Sequence, residues 1–354
     1  MSPRPMRSPE DAPYRRLVGV GGIGSGMFLA LEGEGTLGRT ESRAARMLDV
    51  RDYCKLHTVA HHVATLGGLE VVPVGVVGDD DVARRLVEEL HAAGSDVAHV
   101  RTDTERPTLF SVCFQYPDGE GGNITTEDSA ASALDDVDVD EVAPLLDERT
   151  IALAQPEVPL GPRRRLLELA RERGALTTGS FTSQELARAR ASGVFALLDV
   201  VAINEHEASV LAGSALDPGD PEPVLRACAS AFEDGTRLVI TGGAHGAFAI
   251  EGTGWGHRAA PTVDVASTAG SGDALLAGVL VGLAAGAPFL GTTEPPAIDD
   301  ALGLGVLLAS LNATSPHTIH PAADATALAA FATAHGRRFA GALEAAFVSA
   351  EATA

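Results

Sequence analysis

The chain has 354 residues, of which 45% are hydrophobic, which is enough for a large buried core. Its formal net charge of −22 argues against a nucleic-acid partner, because binding to phosphate backbones needs a basic surface. Its three cysteines are widely spaced and form no pair at metal-binding spacing, which disfavours zinc and a disulfide framework and fits a cytoplasmic location.

Alternating apolar runs and amphipathic stretches predict the fold. Residues 1–14 are proline-rich and charged, which indicates a disordered tail before a single domain over 15–350. The predicted strands are 17–20, 71–77, 109–116, 151–154, 198–203, 238–241 and 247–250. The predicted helices are 53–66, 80–93, 161–173, 183–191, 221–233, 272–286, 299–311 and 324–349, the last divided into two. Several strands are apolar throughout, as in parallel sheets covered on both faces. The pattern therefore predicts a doubly wound α/β fold, with a mainly parallel sheet flanked by helices.

Two regions interrupt this alternation. Residues 28–50 and 105–128 are glycine-rich, polar and partly strand-like. They are either surface loops or a small β lid over the carboxyl edge of the sheet, where ligands of such folds bind. A third region, 274–293, carries no charge, but its glycines and Pro288 favour a buried helix over a membrane span.

An acidic residue stands at the start of this apolar helix. Gly270, Ser271 and Gly272 form a turn of small residues immediately before Asp273. Because a helix N-terminus exposes unpaired N–H groups and a positive dipole end, such a turn can bind an anion. Asp273 either only stabilises the helix dipole or takes a proton from a hydroxyl that attacks a bound phosphoryl group.

The stretch Ser267-Thr268-Ala269-Gly270-Ser271-Gly272-Asp273 resembles the C-terminal signature of the ribokinase-like (PfkB) carbohydrate kinases, Asp-Thr-x-Gly-Ala-Gly-Asp. The resemblance implies a kinase that uses ATP and Mg²⁺ to phosphorylate an alcohol group of a sugar-like small molecule. It makes Asp273 the catalytic base and residues 270–272 the anion hole. Many members of the family dimerise through paired lids, so a homodimer is a further expectation.

Other stretches match the family in the expected order. Asn204-Glu205-His206-Glu207 resembles its Asn-x-x-Glu motif, which organises Mg²⁺ through water, although by itself the stretch also fits a capped helix start. Residues 241–246 resemble its nucleotide-binding turn, and the alternative is a glycine hairpin. The resemblance implies nucleotide contacts from Asn204, Glu207, Thr241, Gly243, Gly246, Thr268 and Asn312, the last in the adenine pocket.

The acceptor half departs from the family pattern. Residues 21–26 contain no acid, although the family places a hydroxyl-binding Asp there, and residues 52–58 lack its Gly-Gly-x-x-x-Asn. Glu32 and Asp52 are alternative hydroxyl acceptors that the sequence does not rank. Asn123, in the second interrupted region, is a further candidate contact.

The basic residues of this half suggest an acceptor of a different class. Lys55 is the only lysine in the chain, and a compact point charge suits a phosphate or a carboxylate. We therefore hypothesise an anionic acceptor, such as a sugar phosphate or a sugar acid, held by Lys55, His57 and arginines such as Arg39. The alternatives are a chance lysine on a solvated helix face and, for His57 with His61, packing or a metal site without an evident third ligand.

Competing functions fit less well. Residues 19–24 match a dinucleotide-binding fingerprint, but more glycines follow where that motif needs a helix. A Walker A kinase is excluded because that motif needs Gly-Lys followed by Ser or Thr, and the only lysine precedes Leu56. A nucleoside kinase and a non-catalytic metabolite-binding protein, both of the same fold, remain alternatives.

Overall fold

The structure is a computed structural model that describes residues 12–33, 35–117, 121–292 and 296–348. Most of the expected tail over 1–14 lies outside the described residues. Its last residues are docked, because Ala12 is buried and its carbonyl accepts a hydrogen bond from Arg149.

The described part contains fifteen strands and eleven α-helices. The strands are β1 (Arg16–Val20), β2 (Gly24–Leu31), β3 (Ala45–Tyr53), β4 (Glu70–Gly78), β5 (Val100–Asp103), β6 (Leu109–Gln115), β7 (Gly121–Thr125), β8 (Thr150–Ala154), β9 (Leu176–Gly179), β10 (Val200–Asn204), β11 (Arg237–Thr241), β12 (Ala247–Glu251), β13 (Gly254–Arg258), β14 (Ala297–Ile298) and β15 (Arg338–Phe339). The helices are α1 (Lys55–Leu66), α2 (Asp81–Ala93), α3 (Asp136–Asp140), α4 (Leu160–Glu172), α5 (Leu186–Ala191), α6 (Glu205–Ala212), α7 (Glu222–Ala229), α8 (Ser271–Ala284), α9 (Ala301–Asn312), α10 (Ala325–Ala334) and α11 (Gly341–Val348).

Nine strands form the main sheet, in the order β13-β12-β11-β10-β9-β8-β1-β4-β5. The seven neighbouring strands β11, β10, β9, β8, β1, β4 and β5 pair in parallel. Strands β12 and β13 are antiparallel additions at one edge. The predicted doubly wound, mainly parallel sheet is thus confirmed. The parallel strands end at a common edge, which is where the residues described below converge.

Helices cover both faces of the sheet because its central strands are apolar on both sides. In β4, Val72, Val74 and Val76 point to one core, whereas Val71 and Val77 point to the other. One face carries α1, α2 and α8 to α11, and the opposite face carries α3 to α7. Such alternation within a continuous apolar run is the mark of a strand buried on both faces.

The two interrupted regions form a second sheet. Strands β3, β2, β6 and β7 pair in that order, so that β3 and β7 are its edges. We call this the lid sheet. Strand β3 runs directly into α1, which ties one edge of the lid sheet to the carboxyl edge of the main sheet.

The uncharged stretch after Asp273 is helix α8, which is buried almost throughout between α9, α1 and the main sheet. Gly278 of α8 and Gly305 of α9 let the two backbones approach closely. Within the described residues, no helix has both the length and the hydropathy that crossing a bilayer requires.

Candidate active site

The turn before α8 needs glycine at one position. Gly270 is the N-cap of α8 and has a φ of +70°. A Cβ at Gly270 would overlap the carbonyl oxygen of Thr318. The left-handed backbone and the lack of space together make glycine the only residue that fits.

This turn leaves backbone donors open. The N–H of Ser271 donates to the carbonyl of Thr268 at 3.2 Å, and the N–H of Ala274 donates to the carbonyl of Gly270 at 2.8 Å. Within the described part of the chain, the amides of Gly272 and Asp273 make no hydrogen bond. Because α8 also has no side-chain cap, its N-terminus presents free N–H groups that an anion can accept from. In the same described residues Gly270 also donates no hydrogen bond, so only the Ser271 amide among the predicted donors 270–272 is used within the turn, and the Asp273 amide is an additional open donor.

The Asp273 carboxylate lies beside these amides and close to the only lysine. Lys55 Nζ is 3.6 Å from Asp273 Oδ1, and the Asp273 side chain is 12% exposed. Burial raises the pKa of Asp273 above its usual value, the Lys55 charge lowers it, and the Asp52 charge adds a smaller upward shift. The negative charge of Asp273 in turn raises the pKa of Lys55.

This ion pair faces a cavity and does not simply join two structural elements. Lys55 and Asp273 line a pocket of about 50 Å³ together with Asn204, Glu207 and Thr241. These residues come from the carboxyl edge of the main sheet and from the N-termini of α1, α6 and α8. A group with phosphate oxygens is therefore within reach of helix N-termini from several directions.

Asn204 and Glu207 have a structural role as well as a place in this cavity. They form a capping box, in which Asn204 Oδ1 accepts from the N–H of Glu207 and Glu207 Oε2 accepts from the N–H of Asn204, both at 2.8 Å. Burial raises the pKa of Glu207, and Lys55 lowers it. The capped-helix interpretation and the cavity location are thus compatible.

Glu157, which no sequence motif indicated, positions Lys55. Glu157 Oε2 accepts a hydrogen bond of 3.0 Å from the N–H of Lys55, so that it caps α1 in place of a local side chain. Burial raises the pKa of Glu157 to about 7, although the nearby Lys55 charge opposes this. Glu157 follows β8 at the carboxyl edge of the main sheet, where ligands of such folds bind. Its position shortly after a predicted strand is the sequence feature that could have marked it as a site residue.

The backbone of Glu157 indicates a constrained position. Its φ is +74°, and it has the only positive φ of any non-glycine residue in the described ranges. A Cβ on Gly22 would lie 2.7 Å from the Cβ of Glu157, so the glycine allows this close approach. Such a conformation is costly and occurs most often at functional sites.

The turn over 241–246 lies between the small cavity and a larger cleft. Gly243 and Gly246 have φ values of +52° and +89°, and a Cβ on Gly246 would overlap the carbonyl oxygen of Arg258. Beyond Arg258 lies a cleft of about 270 Å³. Its apolar lining comes from Ala259, Pro261, Ala297, Ile298, Val306 and Leu307, and its polar lining from His257, Arg258 and Arg337.

Some predicted site residues lie elsewhere. The side chain of Asn312 is fully buried, and its amide donates to the carbonyls of Ala269 at 3.2 Å and Thr318 at 3.1 Å, so it lines neither cavity. Thr268 is exposed and contributes its carbonyl to the turn before α8. Both residues support the turn that carries the free amides.

Among the expected acceptor contacts, His57 does not have the role that the sequence suggests. His57 is fully buried and stacks on Tyr53 with ring centroids 4.5 Å apart, because its position on α1 faces the core. Burial keeps the pKa of His57 well below its usual value, so it supplies no positive charge. Arg39 and Asn123 are exposed, the former between β2 and β3 and the latter on the β7 edge of the lid sheet.

The structure places the two alternative hydroxyl acceptors, Glu32 and Asp52, in different surroundings. Glu32 is exposed at the end of β2. Asp52 accepts hydrogen bonds from Thr318 Oγ1 at 2.7 Å and from Cys113 Sγ at 2.8 Å, near Asp273. Asp52 is therefore the acid that the lid sheet brings to the site. Among the described residues, no cluster of three or more His, Cys, Asp or Glu side chains is arranged to hold a metal ion.

Comparison with known proteins identifies the relatives of this fold. The model of the pfkB family carbohydrate kinases matches residues 57–325. An aminoimidazole riboside kinase from Salmonella enterica, solved with aminoimidazole riboside and an ATP analogue, aligns with a TM-score of 0.66 and 20% identity over 90% of this chain and 100% of its own. A Burkholderia thailandensis nucleoside kinase with inosine aligns with a TM-score of 0.66 and 20% identity over 91% of this chain and 99% of its own.

A plant enzyme has the same fold. The ribokinase of Arabidopsis thaliana, complexed with ribose and ATP, aligns with a TM-score of 0.63 and 18% identity over 85% of this chain and 93% of its own. No curated protein sequence matches the chain.

Proposed function

Because this chain belongs to the pfkB family of carbohydrate kinases, we propose that it transfers the γ-phosphoryl group of ATP to a hydroxyl of an uncharged sugar or sugar derivative. One observation carries the proposal: the buried Asp273 carboxylate lies beside the free amides at the start of α8 and 3.6 Å from Lys55. Phosphoryl transfer is favoured where a base, anion-binding dipoles and a positive charge lie close together.

The chemistry follows from these three groups. Asp273 takes the proton as the acceptor oxygen bonds to the γ-phosphorus, the bond to the β,γ-bridging oxygen breaks, and ADP leaves. A pKa raised by burial improves Asp273 as a base near neutral pH. The amides of Gly272 and Asp273 and the Lys55 ammonium stabilise the charge on the transferring group.

The residues present fit Mg²⁺ and a nucleotide. Asn204 and Glu207 offer hard oxygen ligands, which suit Mg²⁺ directly or through water. When bound, the ion neutralises phosphate charge. The turn over 241–246 leads from the small cavity to the 270 Å³ cleft, whose apolar walls suit a nucleobase. We therefore assign phosphate contacts to Thr241, Gly243 and Gly246, and base contacts to residues of the cleft rather than to Asn312.

The charges around the acceptor side favour an uncharged acceptor over the anionic one that the sequence suggests. Lys55 lies near the acidic side chains of Asp273, Glu157 and Glu207, and Asp52 is a further acid close to Asp273. Lys55 is already paired with Asp273, and His57 is neutral and buried. A phosphate or carboxylate on the acceptor would meet excess negative charge, whereas hydroxyls can donate to these oxygens.

An acceptor panel tests this function. ADP release from MgATP is measured with uncharged sugars and nucleosides, and with their phosphates and sugar acids. We expect turnover with at least one uncharged compound, and the product must carry one new phosphate by mass spectrometry. Turnover only with phosphorylated or acidic compounds would restore the anionic hypothesis. Nucleotide binding without turnover on any compound would indicate a non-catalytic binding protein.

A further inference from the structure

The segment after α9, residues 313–320, contacts both the lid sheet and the turn before α8. We call it the bridging loop. On one side, the carbonyl of Ala313 accepts from the N–H groups of Ala266 at 2.9 Å and Ser267 at 3.3 Å. On the other side, Thr318 Oγ1 donates to Asp52 of β3 at 2.7 Å. The bridging loop therefore touches the two parts of the site that act on different substrates.

Thr318 is the residue at which the two sides meet. Its carbonyl lies against Gly270, and it accepts from the buried Asn312 amide, which also holds the carbonyl of Ala269. Its hydroxyl holds the Asp52 carboxylate. A displacement of Thr318 must therefore disturb both the backbone turn that exposes the amides and the Asp52 carboxylate on β3.

A second contact strengthens the lid side. His317 Nδ1 lies 3.0 Å from Asp49 Oδ2, and the Asp49 side chain is only 3% exposed. Asp49 and Asp52 are both on β3, which is the edge of the lid sheet nearest to α1. Asp52 is three residues before Lys55, so the position of β3 also bears on the lysine that pairs with Asp273.

We propose that Thr318 is a positioning residue that couples the lid strand β3 to the anion-binding turn, so that the acceptor side and the phosphoryl side of the site become ordered together. The inference rests on the proposed function, whose transfer step needs both sides at once. It predicts that ATP is hydrolysed little when no acceptor holds β3 in place, because the turn is then less well ordered.

The chain offers a matched control for the hydroxyl of Thr318. Thr177 is also buried, and its Oγ1 donates to the carboxylate of Asp199 at 2.8 Å, far from the site at the amino end of β9. Thr318→Val and Thr177→Val therefore each remove one part-buried hydrogen bond from a threonine hydroxyl to an aspartate, and Thr177→Val also removes the 3.1 Å bond that this hydroxyl accepts from the N–H of Asp199. Thr318→Ser keeps the hydroxyl and serves as the rescue variant.

Amide hydrogen exchange on the full chain tests the coupling without any activity measurement. In Thr318→Val we expect about tenfold faster exchange of the hydrogen-bonded amides in both 45–53 and 266–271, since a hydrogen bond to a charged group is lost. Thr318→Ser and Thr177→Val should leave both segments at the native rates. Faster exchange in only one of the two segments, or in neither, would overturn the coupling. If Thr318→Val does not fold, Asp52→Ala, which removes the acceptor of the Thr318 hydroxyl, tests the same link with the same expected result.

Kinetics then separate this inference from the proposed function. With an acceptor that the native protein phosphorylates, Thr318→Val should raise the acceptor KM and lower kcat, while nucleotide affinity is unchanged, and Thr318→Ser should restore both. An unchanged KM and kcat would contradict the coupling. If the native protein phosphorylates no acceptor, the proposed function fails, and the exchange result alone decides whether the coupling stands.

Discussion

Replacing Lys55 with methionine should shift the acid limb of the pH dependence of kcat/KM to higher pH. Asp273 acts as a base only when it is ionised, so activity rises as pH increases through its pKa. Burial raises that pKa and the Lys55 charge lowers it. Removing the charge leaves burial unopposed, and a higher pH is then needed to ionise Asp273.

The distance between the two groups sets the size of the shift. At the 3.6 Å between Lys55 Nζ and Asp273 Oδ1, two unit charges interact by about 1 kcal/mol in bulk water and by about 4 to 5 kcal/mol at an effective dielectric constant of 20. These energies correspond to about one to three pH units. The Lys55 side chain is 34% exposed, so solvent screening favours the lower end, about one unit.

The assay is ADP release at saturating MgATP and low acceptor, from about pH 4 to pH 8, a range that spans the ordinary carboxyl and imidazole values. Lys55→Arg keeps a positive charge and is the control, and its acid limb should stay near the native position. An acid limb in Lys55→Met that stays in place or moves to lower pH would refute the electrostatic role assigned to Lys55.

Three further predictions concern the turn and the core. Gly270→Ala should reduce kcat by about 10²-fold or more, because its Cβ overlaps the Thr318 carbonyl and displaces the free amides; near-native steady-state turnover would refute this. Burial lowers the pKa of His62 to about 3, so the stability associated with its neutral form is complete above the unfolded-state value near 6.5 and declines as pH falls. At pH 4.5 this contribution to the free energy of unfolding is reduced by about 2.7 kcal/mol. Between pH 7.5 and pH 4.5, urea unfolding of His62→Leu should therefore lose about that much less stability than the native protein. The control His91→Gln, at an exposed position, should match the native protein. Arg163→Met leaves Glu185 buried without its 2.8 Å partner and should cost about 3 to 5 kcal/mol in urea unfolding, most of it recovered by adding Glu185→Leu; no recovery would contradict a loss caused by the unpaired charge.

The sequence predicted those strands whose burial leaves a strong local pattern. The apolar runs of β4, β8 and β11 are buried on both faces, so their composition alone marks them. By contrast, β9 has the sequence Leu-Thr-Thr-Gly and β13 is Gly-Trp-Gly-His-Arg, and neither run is apolar enough to be recognised. The strand conformation of β9 comes from pairing with β8 and β10, from which helices separate it in sequence, and that of β13 from the hairpin that it forms with β12.

The same distinction applies to the site. The small-residue turn before Asp273 and the Asn204–Glu207 pair are local motifs, so spacing revealed them. Glu157 could not be found in this way, because its contact with Lys55 joins residues that are 102 apart in sequence. The single lysine suggested an anionic acceptor because the sequence shows its positive charge. The sequence does not show which carboxyl groups lie close to that charge in the folded chain.

The most direct test of the central claim is the turnover of Asp273→Asn with an acceptor that the native protein phosphorylates, measured beside its ATP affinity. The account predicts that kcat falls by about 10²- to 10⁴-fold while the Kd for MgATP is nearly unchanged, because the variant keeps the amides but lacks the base. A variant that turns over within about tenfold of the native rate would contradict the assignment of Asp273 as the base, since that is less than the smallest usual contribution of such a group.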